Sequence, residues 1–179
     1  ADGQLGVNAT QRNLPGTGIA TFSDRLRDAV RGGGPFDTGE SARRQGFITG
    51  LYTAPNDLDQ GTPEQQRAAV LHAADLIRVG MAGNLASYPL VDAQGRTVRG
   101  EDVDYNGSPG GYTRDPQEVI TYIEAHDNET LFDIIQLKAP AGASLADRVR
   151  MHNLGTSIVM LSQGIPFFHA GQEILRSKS

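Results

Sequence analysis

The stretch richest in reactive side chains is EAHDNE at residues 124–129. It sets His126, Asp127 and Asn128 side by side, directly after the apolar run 119–123. In parallel α/β folds, the carboxyl ends of the strands face the ligand crevice. Such side chains can hydrogen-bond several hydroxyl groups of a substrate, or stabilise a positive charge that develops in it. The pattern also fits a polar exit from a strand, in which Asp127 or Asn128 starts a turn.

A second stretch has the same design, an apolar run followed by a polar tip, and reads FFHAGQE at residues 167–173. The small pair Ala170 and Gly171 would let another group approach the backbone beside His169. A core histidine with satisfied hydrogen bonds explains the pattern equally well. The other two histidines, His72 and His152, lie inside predicted helices, and we interpret both as structural.

Composition excludes several classes of function. The chain has no cysteine, which rules out disulfides, thiolate catalysis and cysteine-ligated metals. Its net charge of −5 comes with scattered basic residues, whereas binding to phosphate backbones needs clustered Lys and Arg. No apolar run approaches the roughly 20 residues that span a bilayer. We therefore expect no nucleic-acid partner and no membrane partner, and we predict no metal site.

Glycine-rich segments at residues 16–18 and 32–34 invite comparison with nucleotide-binding loops. The first precedes the nearest predicted strand, whereas a dinucleotide fingerprint follows one, and neither segment continues into the Lys-Ser/Thr of a P-loop. The Gly-x-Ser-x-Gly elbow of hydrolases and the His-Glu-x-x-His zinc motif do not occur. A nucleotide-binding domain is the least favoured interpretation.

Several elements can be read from the chain. Thr62 fits a helix N-cap, Pro63 the first helical position, and Gln65 the third residue of a capping box. Ser23 and Ser144 are the N-caps of two further helical segments. The sequence therefore predicts strands at 19–22, 119–123 and 165–168, helices at 23–30, 62–83 and 144–163, and a long polar loop at 92–117.

Two of these helices show apolar stripes at helical spacing, which predict the faces turned toward a core. The stripes consist of Val70, Ala73, Ala74, Ile77 and Met81 in the first, and Leu145, Val149, Leu154, Ile158 and Leu161 in the second.

The alternation of strands and helices predicts an α/β fold with a parallel sheet. A doubly wound sheet and a barrel both fit the pattern. Three strands cannot close a barrel, because eight strands and their helices need about 250 residues. The pattern alone therefore predicts an α/β fold and leaves open whether it is complete or partial.

The same segments resemble the α-amylase superfamily of glycoside hydrolases, in its pullulanase and limit-dextrinase version. Residues 122–133 (YIEAHDNETLFD) are similar to its seventh-strand motif, and residues 17–29 (TGIATFSDRLRDA) to its sixth-strand region. Residues 104–107 (DYNG) and 111–113 (GYT) resemble the loop before strand seven. Residues 164–171 (GIPFFHAG), continuing to RSKS at 176–179, resemble strand eight and the loop beyond it.

The resemblance implies that residues 1–179 are a fragment of one catalytic (β/α)8 TIM barrel, spanning roughly strands six to eight with the intervening helices and no second domain. The family's nucleophilic Asp and general-acid Glu end strands four and five, and neither motif occurs here. The implied function is a share in retaining hydrolysis of α-1,6-glucosidic branch linkages in pullulan, limit dextrins and related α-glucans. The isolated chain is then expected to be inactive.

The resemblance also implies roles for particular residues. Asp127 corresponds to the family's third catalytic carboxylate, while His126, Asn128 and Tyr105 would bind substrate. The implied partners are an α-glucan and the remainder of the catalytic barrel, and the implied location is secreted or periplasmic. A calcium site stays open without support in the sequence, and no other cofactor is expected.

Two departures from the family pattern weaken any substrate contact at their positions. Relatives commonly carry Asp where this chain has Gln172, and often Lys where it has Pro15. The alternative hypothesis is a non-catalytic α/β carbohydrate-binding or interaction module that uses the same strand-end residues. A half-barrel exposes sheet edges that a natural module would cover, so the fragment hypothesis is favoured.

Overall fold

The computed structural model describes residues 8–178 and has a mixed α/β architecture. Its central sheet has three strands in the order β1-β6-β7, all parallel, with Thr21 opposite Val119 and Ile120 opposite Ile165. Two antiparallel hairpins lie outside this sheet. The strands are β1 Thr21–Phe22, β2 Pro89–Val91, β3 Thr97–Arg99, β4 Asp104–Tyr105, β5 Ser108–Pro109, β6 Val119–Thr121 and β7 Ile165–Pro166.

Between residues 8 and 178, four α-helices connect or flank these strands, and each begins at a side-chain N-cap that the sequence supplies. The cap hydroxyls belong to Ser23, Thr62, Thr130 and Ser144, and each accepts a bond from a backbone N–H in the first turn. The helices are α1 Asp24–Arg31, α2 Pro63–Met81, α3 Leu131–Lys138 and α4 Leu145–Met160. None of those in residues 8–178 is both long and apolar enough to cross a membrane.

The predicted capping box of α2 is confirmed, because the Gln65 side chain also accepts the backbone N–H of Thr62, at 2.8 Å. Three other expectations are corrected. Helix α3 was not predicted. The 92–117 segment is not a simple loop, since it contains β3, the β4–β5 hairpin and two 3₁₀ turns. The predicted strands are also too long, since 19–22 is strand only from Thr21, 119–123 only as far as Thr121, and 165–168 only as far as Pro166.

The stripe predicted on α4 is only partly confirmed. Ile158 is buried as expected, but Leu145, Leu154 and Leu161 are exposed, and the rest of the buried face carries His152, Gly155 and Val159. Gly155 explains the difference. A Cβ at this position would lie 2.9 Å from a methyl of Ile48 and 3.0 Å from a methyl of Ile123. The helix therefore packs through its smallest residue rather than through its leucines.

One apolar core joins the helices to the sheet. Helix α1 packs against α2, and α3 packs against α4. The most deeply buried members are Leu26, Val30, Val79, Ile123, Leu131, Ile135 and Val159. Ile123, which follows β6, belongs to this core. The core therefore holds the chain at the point where the polar segment 124–129 begins.

Glu118, the residue before β6, holds the segment around Gly16 and Gly18 against the start of that strand. Its carboxylate accepts backbone N–H groups from Gly16 at 2.6 Å, from Gly18 and Arg114 at 3.0 Å, and from Asp115 at 3.4 Å. Desolvation opposes the charge, but these hydrogen bonds outweigh it and lower the pKa of Glu118. The carboxylate is therefore ionised, and it orders a stretch of chain that has no secondary structure of its own.

Lys138, at the end of α3, fixes the loop that follows α1. Its buried ammonium donates to the carbonyls of Gly32 at 2.5 Å and Arg44 at 2.8 Å. Burial, reinforced by the nearby Arg31 guanidinium, lowers the pKa of Lys138 from 10.5 to about 8.

This lowered pKa predicts a pH dependence of stability. Between about pH 8 and pH 10.5 the unfolded chain holds the Lys138 proton and the folded chain does not, so the free energy of unfolding rises with pH. Protonated Lys138 costs the folded chain on the order of 3 kcal/mol below pH 8, and this cost is gone above pH 10.5. Urea unfolding between pH 7.5 and 9.5 should show this rise in the parent chain and not in Lys138→Met. Parallel curves for the two proteins would contradict it.

Candidate active site

A cleft of about 630 Å³ opens beside the carboxyl ends of β1 and β6. One wall is the polar face of α1 and the loop after it, and the other is formed by the residues that follow β6. Tyr105 reaches in from the β4–β5 hairpin. The lining residues are Asp24, Arg27, Asp28, Arg31, Pro35, Phe36, Tyr105, Tyr122, Ala125, Asp127 and Asn128. Three of the four predicted site residues, Asp127, Asn128 and Tyr105, therefore share one cavity.

The fourth, His126, lies at the rim, with its Nε2 3.2 Å from Oδ1 of Asp127. Both side chains point to solvent, with exposures of 85% and 75%. Asn128 follows in the left-handed region at φ 59°, a conformation that Asn tolerates better than most residues. The tip thus presents an open carboxylate and an open imidazole, which are suited to bind hydroxyl groups from solution.

Tyr105 belongs to a hydrogen-bond network on the cleft wall. Its hydroxyl donates to Oδ2 of Asp28 at 2.6 Å, and Arg27 donates through Nε to Oδ1 at 2.7 Å. The other end of Arg27 donates to the Tyr122 hydroxyl at 2.6 Å. Burial, and then the bond to Asp28, raise the pKa of Tyr105 well above 10. The hydroxyl therefore stays protonated, and its oxygen can still accept a hydrogen bond.

Three aromatic rings form a layer across the ends of the parallel strands. Phe22 lies at the end of β1, Tyr122 follows β6, and Phe167 follows β7. Phe22 meets Tyr122 edge to face at 4.9 Å between centroids, and meets Phe167 at 5.4 Å. Such pairs contribute about 1 kcal/mol each beyond their burial. The layer fixes the three strand ends relative to one another directly beneath the polar tips.

Glu124 is the buried member of the candidate motif, with 1% of its surface exposed. One carboxylate oxygen accepts the backbone N–H of Leu131, the first residue of α3, at 2.8 Å. The other lies 2.8 Å from Nδ1 of His169, beyond β7. The carboxylate therefore closes the loop 124–131 at its base, complements the positive end of α3, and joins the ends of β6 and β7.

His169 fits the structural interpretation, because both ring nitrogens have partners. Nε2 lies 3.2 Å from a guanidinium nitrogen of Arg176, and a guanidinium can only donate. Nε2 is then the hydrogen-bond acceptor. Nδ1 carries the ring proton and donates a hydrogen bond to Glu124. Gln172 is buried and donates to the Thr156 hydroxyl at 3.0 Å, so it lies against α4 rather than in the cleft.

Sequence reasoning missed the contribution of α1 to the cleft. Asp24, Arg27, Asp28 and Arg31 recur at helical i, i+3 and i+4 spacing, and that periodicity was the available signal. The exposed ring of Phe36, in the glycine-rich loop after α1, was missed as well, and no periodic pattern marks it. Within residues 8–178, no group of three His, Asp or Glu side chains is placed to hold a metal ion.

Comparison with known proteins gives a consistent result. No protein-family model matches the chain. It is 55% identical over 172 residues to the pullulanase of Klebsiella aerogenes, and 49% identical over 180 residues to chloroplastic pullulanase 1 of Arabidopsis thaliana. These alignments cover 96% and 100% of the chain. The chain is homologous to a segment of the pullulanases. It spans only 15% of the Klebsiella protein and 18% of the Arabidopsis protein.

Solved pullulanase structures have the same fold over this segment. The Klebsiella pneumoniae pullulanase complexed with maltotriose superposes with a TM-score of 0.90 at 53% identity, over 96% of this chain and 16% of that one. The apo pullulanase of Paenibacillus barengoltzii gives a TM-score of 0.64 at 31% identity, over 97% of this chain and 20% of that one. The family resemblance inferred from the sequence is therefore confirmed.

The buried position of Glu124 predicts a large cost for a small change. In Glu124→Gln, the amide can satisfy only one of the two donors, so the other is left buried without an acceptor. We expect a loss of about 1–3 kcal/mol in the free energy of unfolding, measured by urea titration. Glu129→Gln, at an exposed position five residues away, is the matched control and should change it by less than about 0.5 kcal/mol. Equal effects of the two substitutions would refute this role of Glu124.

Proposed function

We propose that this chain is part of the catalytic barrel of an enzyme that hydrolyses α-1,6-glucosidic branch linkages in α-glucans. The observation that carries the proposal is the cleft in which Asp127, Asn128 and Tyr105 meet at the carboxyl ends of parallel strands, within a segment homologous to pullulanases. In parallel barrels this is the end at which active sites form.

The arrangement of the sheet supports a partial (β/α)8 barrel. Three parallel strands follow in order, each crossover contains helices, and an aromatic layer lies at their carboxyl ends. Large apolar side chains stay exposed beside the outer strands, among them Ile19, Phe22 and Ile165. Within residues 8–178, β1 and β7 each pair with β6 alone, so these side chains and the outer edges of the two strands suit pairing with further strands, which would be the remainder of the barrel.

The chemistry of the proposal is retaining glycoside hydrolysis. It needs a nucleophilic carboxylate and an acid about 5–5.5 Å apart, which the family supplies from two strands outside this chain. Asp127 would be a third carboxylate that binds sugar hydroxyls. Its bonds strengthen as the ring flattens toward an oxocarbenium ion, and stronger binding in the transition state than in the ground state raises the rate. His126 and Asn128 would bind hydroxyls of the same sugar, and Tyr105 would bind from the cleft wall.

Asp127→Asn in the intact protein tests this role. Because Asp127 is exposed and lacks buried partners, the fold should survive, while the loss of its charge should raise the barrier by about 3 kcal/mol, or more than a hundredfold in kcat. Release of reducing ends from pullulan gives the rate. Asp147→Asn, an exposed change on α4, is the control and should leave the rate unchanged. A near-parental rate for Asp127→Asn would reject the proposed role.

The isolated 179-residue chain should hydrolyse no α-1,6-glucan. Asp24 and Asp28 share the cleft with Asp127, but Asp24 is paired with Arg25, and Asp28 with Arg27 and Tyr105. Both carboxylates are thus held on the α1 wall by partners of their own, and neither lies in the sequence motif of the family's nucleophile or acid. Incubation of the purified chain with pullulan is the measurement. Turnover that persists through purification and disappears in Asp127→Asn would show that the site is complete.

A further inference from the structure

The loop that carries Asp127 is held almost entirely by side chains from other elements. Among residues 8–178, no backbone-to-backbone hydrogen bond involves residues 125–129. A loop without such bonds has many accessible conformations, yet a catalytic carboxylate has to be held within about 0.5 Å of its productive position. The contacts that restrict this loop therefore decide where Asp127 lies.

Lys178 contacts both of the residues that flank Asp127. Its ammonium donates to the carbonyl of His126 at 2.6 Å and also to the carbonyl of Asn128. These are the residues immediately before and after Asp127. One cation thus binds both flanks of the candidate carboxylate without touching the carboxylate itself.

Lys178 is itself anchored to α3. Its backbone N–H donates to Oδ2 of Asp133 at 2.9 Å, and the hydroxyl of Ser177 donates to Oδ1 of the same carboxylate at 2.5 Å. Just upstream, Arg176 donates to the carbonyl of Ala170 at 3.0 Å. The ammonium is therefore presented from a docked segment, and it is not a freely moving surface lysine.

Arg31 holds the same loop from the other side. Its guanidinium donates to the carbonyl of Ile123 at 3.1 Å and, more weakly, to that of Glu129 at 3.4 Å. Arg31 is buried and Lys178 is exposed. The buried Arg31 therefore holds the two ends of the loop, at Ile123 and Glu129. Lys178 holds the part between them that carries Asp127.

We propose that Lys178 is a positioning residue that sets the location of the Asp127 carboxylate through the carbonyls of His126 and Asn128. The proposal rests on the proposed function where it concerns catalysis, but not where it concerns the conformation of the loop. It assigns a role in the site to the segment after β7, which does not line the cleft.

The test uses two variants of the intact protein. Lys178→Met keeps the aliphatic stem and removes the donor, whereas Lys178→Arg keeps a cation that can donate to both carbonyls. We expect kcat on pullulan to fall about tenfold in Lys178→Met, with KM changed by less than about threefold, because a displacement of about 1 Å weakens transition-state contacts most. Lys178→Arg should recover most of the loss. Arg150→Met, at an exposed position on α4, is the control and should behave like the parent.

Crystal structures of the parent and Lys178→Met, superposed on the three central strands, give the second measurement. The Asp127 Cα should move by about 1 Å or lose its single position. An unmoved Asp127 overturns the proposal whatever the rates are, and a moved Asp127 with parental kcat overturns the catalytic part of it. If the parent protein does not cleave pullulan, the proposed function fails, and the position of Asp127 in the two structures alone decides whether Lys178 holds the loop.

Discussion

The arrangement at the strand ends depends on one buried carboxylate. Glu124 has almost no contact with water, and such a group is stable only when its oxygens have partners. The partners are the first N–H of α3 and the imidazole of His169, so a single side chain connects a strand, a helix and the neighbouring strand. The exposed tip of His126, Asp127 and Asn128 can point into solvent because Glu124, two residues before it, is fixed. A rigid base beneath an open tip is what a binding site for hydroxyl groups requires.

The elements that the sequence predicted well are those specified by local chemistry. The caps at Ser23, Thr62 and Ser144 mark where helices begin because each satisfies N–H groups within its own first turn. The parallel sheet followed from the alternation of elements. The neighbourhood of Asp127, Asn128 and Tyr105 was anticipated through a family resemblance, whereas periodicity alone left a barrel and a doubly wound sheet equally open.

The failures have physical causes. Helix α3 has only eight residues, too few for a clear apolar period, although Thr130 and Asp133 carried a capping signal. Asn106 and Gly107, both at positive φ, form the turn between β4 and β5, and that Asn-Gly pair is a known hairpin signal. The face of α4 could not be read from its leucines because Gly155, which has no side chain, faces the core. The network of Arg27, Asp28 and Tyr105 joins positions far apart in sequence, and only the fold brings them together.

The register of the sheet has a consequence for how this chain acquires its structure. Thr21 of β1 pairs with Val119 of β6, so the central pairing joins positions 98 residues apart, and the whole of α1, α2 and both hairpins lies between them. Closing so long a loop costs entropy before any contact in the sheet offsets it, and topologies of this kind fold slowly. The capped helices and the Asn-Gly hairpin can form early, because their contacts are local. The cleft lies at the carboxyl ends of β1 and β6, and we therefore expect it to form only when this long-range pairing is made.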